Sequence, residues 1–366
     1  MIHLCYGTNV HPAQDLPGVL AQLDRYAEPV RQRLNADRLG VGLWLTADVA
    51  HGLATDPAAL QRLRRELETR GLEVVTLNAF PYCGFHDAVV KRAVYRPHWA
   101  EPARLRYTSD CASVLATLLP PEAAYGSIST LPLGWRDPWS ETDTAASAAA
   151  LDALVQLLRA LPRPIRLAVE PEPGCVLDTV DDAVRWLTRH SDPEYVGLCL
   201  DTCHLAVSFT DPCSALAQLS CSGLGVMKVQ ASAALHIADP ASAAARRALA
   251  EFTETRYLHQ VRELTPDGRV MAADDLPASE LPRQGPWRVH YHVPLHWRPP
   301  PEQPIQPTTD VLQAVLHVVD CEHIEVETYT WNVLPPAQRP RSDADLITGI
   351  AAELHATRQL LSSARR

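Results

Sequence analysis

The chain has 366 residues, of which 46% are hydrophobic, and a net charge of −10 at neutral pH. That length admits one large domain or two ordinary ones, and the apolar fraction supports a substantial core. The acidic balance argues against general attraction to nucleic-acid phosphates, so no nucleic-acid partner is expected.

The opening MIHLCYGTNVHP has no basic segment running into an apolar one, and no stretch approaches the roughly 18 apolar residues of a membrane span. Neither a secretory signal nor a membrane span is expected. Nine scattered cysteines without a CxxC pair read as reduced packing residues, which points to the cytoplasm. Arginine carries nearly all the positive charge, leaving Lys91 and Lys228 as the two lysines.

In chain order, short β-rich runs at 3–7, 41–45, 72–77, 126–131, 166–170, 196–201, 226–230 and 323–327 predict eight strands. Amphipathic runs at 16–34, 57–70, 103–118, 146–161, 180–189, 214–219, 241–263 and 309–319 predict helices between them, with a last helix over 344–361. The joints carry matching chemistry. Asp56-Pro57 is a cap followed by a first-turn proline, Gly71 stands where a helix should stop, and Thr179 with Asp182 resembles a capping box. Eight strands alternating with helices predict a single (β/α)₈ barrel over 1–366. Two insertions interrupt the rhythm: an aromatic-rich segment after strand three, 78–99, and a hairpin-like segment after strand seven, 264–307. Both follow strand C-termini, the face on which barrel enzymes build their sites.

Four consecutive strands end on metal-competent side chains: Glu170 and Glu172, Asp201 and His204, Gln230, and Glu325 and Glu327. Any one of them could be a cap or loop partner. Strand alternation, however, turns Leu167 and Val169 toward the helices and aims Glu170, Asp201, Gln230 and Glu327 at the barrel axis. Carboxylates converging there would repel one another and lose hydration unless a cation joined them. One step lower, Lys228 and Glu325 should form a buried pair beneath that point.

At these residues the sequence resembles the xylose-isomerase-like barrels, a group that includes ketose epimerases, inosose dehydratases and endonuclease IV. The segments YGTNVHP, LNAFPYCGFH, STLPLGW, EPEPGC, LDTCHLAV, KVQASAAL, HYHVPLH and VETYTWNVLP resemble the EboE-like "metabolite traffic" family along nearly the whole chain. The resemblance implies one divalent metal on Glu170, Asp201, Gln230 and Glu327, with His204 and His292 as further candidate ligands. Gln230 stands where epimerases carry histidine, and its harder amide oxygen favours Mn²⁺ or Mg²⁺ over Zn²⁺ or Co²⁺.

It also implies an isomerase or epimerase for a sugar or cyclitol-type carbonyl compound, with Glu170 and Glu327 passing a proton to and from an enediolate. His204, His290, His292, Lys228, Asn78, Phe80 and Trp135 would bind the polyhydroxylated substrate. Phe80, Tyr82, Phe85, Trp99 and Trp135 would form an apolar wall. Homo-oligomers are common among such barrels. A carrier that binds without turnover is the alternative. A phosphoesterase of the endonuclease kind is disfavoured, because strands three and four end in Asn78 and in Ser129 or Thr130 where that enzyme needs histidines.

Overall fold

The computed structural model describes residues 2–364. The chain enters the barrel through β1 (His3–Gly7) and β2 (Leu39–Trp44). The third stave is broken into β3 (Leu72–Glu73) and β4 (Thr76–Asn78). Then come β5 (Gly126–Thr130), β6 (Ile165–Val169), β7 (Val196–Asp201) and β8 (Val226–Ala231). A long excursion carries β9 (Leu235–Ile237), β10 (Val261–Leu264), β11 (Val270–Ala273), β12 (Trp287–Val289) and β13 (Gln306–Pro307) before the eighth stave, β14 (His323–Val326). Neighbouring staves are parallel throughout, and β1 pairs with both β14 and β2, which closes the barrel.

Helices wrap the outside because their apolar residues recur on one face. On helix Pro57–Thr69 that face is Leu60, Leu63 and Leu67; on Val180–His190 it is Val180, Ala183, Val184 and Leu187. Each such leucine contributes roughly 1.5–3 kcal/mol on burial. Asp56 accepts from the amides of Ala58 and Ala59, and Thr179 and Asp182 complete a reciprocal capping box. Gly71 adopts φ +65°, the left-handed conformation that ends a helix without a Cβ clash. Two helices escaped the sequence reading, Ala47–Thr55 and Thr202–Val207. No helix of the described residues is long and apolar enough to cross a membrane.

The main correction concerns the excursion after β8. The helix expected over 241–263 is a short one, Ala243–Ala250, and 261–264 is strand β10. Together β11, β10, β12, β9 and β13 make a five-stranded sheet. The inserted unit therefore begins directly after β8, well before the 264–307 hairpin expected from turn signals. Its Ala-Arg-rich start favours helix locally, but antiparallel pairing of β10 with β11 and β12 decides the rest.

Inside the barrel the alternation is as the sequence implied. Leu167 and Val169 join the main core, whereas Ala168 packs inward with Cys199 and Met227. The interior is markedly polar. Lys228 Nζ, fully buried, donates to Glu325 Oε1 at 3.0 Å and to Ser129 Oγ at 3.1 Å. Glu325 lies against the bare Cα of Gly42, where a Cβ would stand 1.3 Å from its Oε2. Glycine there makes room for the carboxylate.

Candidate active site at the barrel mouth

The C-terminal ends of the staves bring three carboxylates together. Ligand oxygens of Glu170, Asp201 and Glu327 all lie within 4.8 Å of one another, and each residue is buried. Gln230 is in register with Asp201 on one side and Glu325 on the other. Burial, then the charge of Glu327 and Asp201, holds the Glu170 carboxyl well above the usual range. Burial, then Asp201 and Glu325, raises Glu327 as well. Two amides orient Glu327: Asn9 Nδ2 and Asn78 Nδ2 both donate to its Oε1 at 2.8 Å.

The polar accounts of this cluster do not close within the protein. Asp201 Oδ1 accepts from the His204 amide and from Ser232 Oγ, but Oδ2 has no donor. Glu170 Oε2 and both amide atoms of Gln230 are likewise buried without partners. Buried polar atoms are nearly always satisfied, so a group of unmet oxygens on adjacent strands is informative. A divalent cation with an oxygen preference fits this donor set.

The inserted sheet adds a second layer. His290 and His292, expected from the resemblance to bind substrate, are buried at 4% and 0% exposure. His204 Nδ1 faces the Pro171 carbonyl at 3.0 Å and His292 Nδ1 faces the Glu327 carbonyl at 2.6 Å. His290 Nδ1 faces Gln260 Oε1 at 2.8 Å, because the Gln260 amide nitrogen is committed to Pro173 O, Tyr95 Oη and Glu172 Oε1. Each ring therefore donates its Nδ1–H to a fixed acceptor, and a neutral ring so held keeps its lone pair on Nε2. Burial, reinforced at His290 by the neighbouring imidazoles, lowers His290 well below the ordinary histidine value and His292 to about 4, so both rings are neutral. His204 Nε2 and His290 Nε2 stand 3.1 Å apart, and Tyr329 Oη lies 3.4 Å from His290 Nε2, so either neighbour can donate to the His290 lone pair. Glu172 with His204 and His290, and Asp201 with His204 and His292, are further groups whose ligand atoms could hold an ion.

Glu170, Glu327 and the three histidines floor a solvent-open cleft, whereas Asp201 and Gln230 are not among its lining residues. Asn78, Phe80, Glu170, His204, His290, His292 and Glu327 line it, as expected, along with Phe85 from the wall set. Lys228 does not; it sits one layer below, bound to Glu325 and Ser129, so its expected contact with substrate gives way to a place in the barrel core. Trp135 is not a lining residue either and packs behind Tyr95 at 5.1 Å between ring centroids. Tyr82 and Trp99 stand outside the lining too. Sequence reasoning missed Asn9, Tyr95, Tyr257, Gln260 and Tyr329. Asn9 was findable, since it follows the end of β1 as Asp201 ends β7. The others lie in loops and in the insert, where no period marks them.

The family described as the xylose isomerase-like TIM barrel matches residues 36–260. The chain belongs to that family. No curated protein matches it. Among solved structures it is similar to IolI protein with a bound zinc atom, at 14% identity and TM-score 0.53 over 99% of each chain. It is also similar to a xylose isomerase-like TIM barrel protein from Mycobacterium smegmatis in complex with magnesium, at 12% identity and TM-score 0.54 over 98% of this chain and 97% of that one. D-psicose 3-epimerase in the presence of D-fructose aligns at 14% identity and TM-score 0.50, over 98% and 99% of the two chains. At such identities the likeness is one of fold.

Proposed function

We propose that the chain is a divalent-metal-dependent isomerase or epimerase acting on a sugar or cyclitol-type polyhydroxy carbonyl compound. Following the EboE-like resemblance, its setting is the biosynthesis or traffic of a secondary metabolite. The observation that carries the reading is the cluster of Glu170, Asp201 and Glu327, with unsatisfied oxygens on Glu170 and Asp201, beside a cleft that Glu170 and Glu327 line. Glu170, Asp201, Gln230 and Glu327 would hold the ion, with Mn²⁺ or Mg²⁺ preferred. When bound, such an ion polarises a carbonyl oxygen and eases loss of the adjacent proton.

Glu170 and Glu327 are the proton carriers in this reading. The two asparagine amides on Glu327 Oε1 fix its orientation and leave Oε2 as its working atom. The neutral Nε2 atoms of His290 and His292 would accept hydrogen bonds from substrate hydroxyls, with His204 beside them. Phe80 closes one wall of the cleft.

The test is deuterium incorporation at the carbon next to the carbonyl, followed by NMR with ketoses and cyclitol ketones, on protein whose metal content is measured. Exchange that is lost in Glu170→Gln and in Glu327→Gln, while metal is partly retained, is the expected result. Absence of metal after incubation with Mn²⁺ and Mg²⁺, together with absence of exchange, would make a non-catalytic carrier the better reading.

A further inference from the structure

The upper half of the cleft differs in character from its floor. Phe85, Tyr257 and Tyr329 cluster, Tyr329 meeting the other two edge-on with centroids 5.3 Å (Phe85) and 4.9 Å (Tyr257) apart, and Phe85 and Tyr257 tilted at 5.2 Å. They come from three separate loops: the insert after the third stave, the inserted unit, and the turn after β14. Farther out, Val90, Val94 and Leu258 line the same space, and Val94 and Leu258 remain part-exposed at its mouth. An aromatic face can stack on the C–H face of a sugar ring, but a branched aliphatic rim has no such use. It desolvates apolar surface.

Charge points the same way. Three carboxylates line the cleft, Glu170, Glu172 and Glu327. Among the described lining residues Lys91 is the one lysine or arginine, and its Nζ is held by Asp275 Oδ2 at 2.5 Å. Nothing here matches the arginine forks or free lysines that recognise phosphate. Nor does a glycine-rich loop appear among the lining residues.

We propose that the substrate is an uncharged polyhydroxylated compound carrying an apolar substituent, an aryl or short alkyl group, which seats among Phe85, Tyr257, Tyr329, Val94 and Leu258 while the hydroxylated part reaches the acidic floor. The proposal rests on the isomerase reading for its hydroxylated half and adds the class of the other half. An unsubstituted sugar would leave the outer wall in water, and a sugar phosphate would place its charge against aliphatic side chains and carboxylates.

Binding of three probes tests it without turnover: D-glucose, D-glucose 6-phosphate and phenyl β-D-glucopyranoside, by calorimetry on protein loaded with Mn²⁺. The phenyl glucoside should bind at least tenfold more tightly than glucose, about 1.4 kcal/mol, and the phosphate no more tightly than glucose. Leu258→Asn and, separately, Val94→Asn should each shrink the phenyl advantage, and both sit at the part-exposed rim where folding tolerates them. Equal affinities, tightest binding of the phosphate, or no binding of any probe at millimolar concentration overturns the proposal. If the phenyl preference holds but no ketose or cyclitol ketone exchanges its α-proton, the substrate class stands and the isomerase reading falls. If bare or phosphorylated sugars exchange, the reverse is true.

Discussion

Replacing Lys228 with methionine removes the cation from a pair whose two side chains are both at 0% exposure. Burial works against the Lys228 ammonium, but the charge of Glu325 overrides it and holds the lysine above its ordinary value. Breaking such a pair from one side leaves an uncompensated charge and typically costs about 3–5 kcal/mol. Glu325 would retain no cation within reach, and Gly42 leaves its Oε2 no protein donor. The orphaned carboxyl must then protonate to stay buried. An acid whose folded value is raised loses stability as pH rises above its unfolded value of about 4.3, so the penalty of Lys228→Met should be small at acid pH and full at neutral pH. The double variant Lys228→Met with Glu325→Leu carries no buried charge and should recover most of the loss. Urea unfolding followed by the fluorescence of the eight tryptophans reads all three variants. A single-variant loss under about 1 kcal/mol, or a double variant as unstable as the single, would refute the account of the pair.

Three further outcomes follow from the geometry. Gly42→Ala should destabilise by about 3 kcal/mol, because a Cβ placed 1.3 Å from Glu325 Oε2 displaces the buried carboxylate from its pair with Lys228, and unfolding midpoints would show it. Glu353, buried and raised to about 7 by burial against the donors Thr328, Leu295 and Trp331, should make stability fall as pH rises from about 4.3 toward its folded value. That slope, up to roughly 3 kcal/mol, should be absent from Glu353→Gln in a pH series of urea midpoints. Mn²⁺ at about a hundredfold over its dissociation constant should stabilise the protein by roughly 2.7 kcal/mol, and Asp201→Ala should abolish the thermal shift. Elemental analysis of the same samples distinguishes one ion at Glu170–Asp201–Glu327 from a second on the His204–His290 pair.

The barrel was legible because its strands are short apolar runs that stop on polar residues, and LAVEPEP, LCLDTCH and IEVETYTW show this directly. The meeting of Glu170, Asp201, Gln230 and Glu327 followed from alternation alone, as did the pairing of Lys228 with Glu325. What stayed hidden depends on partners distant in the chain. The run 241–263 begins as a helix former, and only pairing with 270–273 and 287–289 turns its end into strand β10. Tyr95 and Gln260 gain their place through Glu172, to which both donate, and nothing in the local sequence of either marks that contact. Lys228 was read as reaching substrate because strand position gives a direction but not a depth.

The acids of the cleft floor come from the barrel, whereas His290, Tyr257 and Leu258 come from the unit inserted between β8 and β14. In the proposed reading the acids belong to the barrel, while part of the apolar wall belongs to the insert and the rest to the segments after the third stave and β14. Mutations drifting through the insert could retune what is admitted while leaving the proton-handling carboxylates undisturbed, so diversification among descendants of this chain should concentrate between 232 and 308.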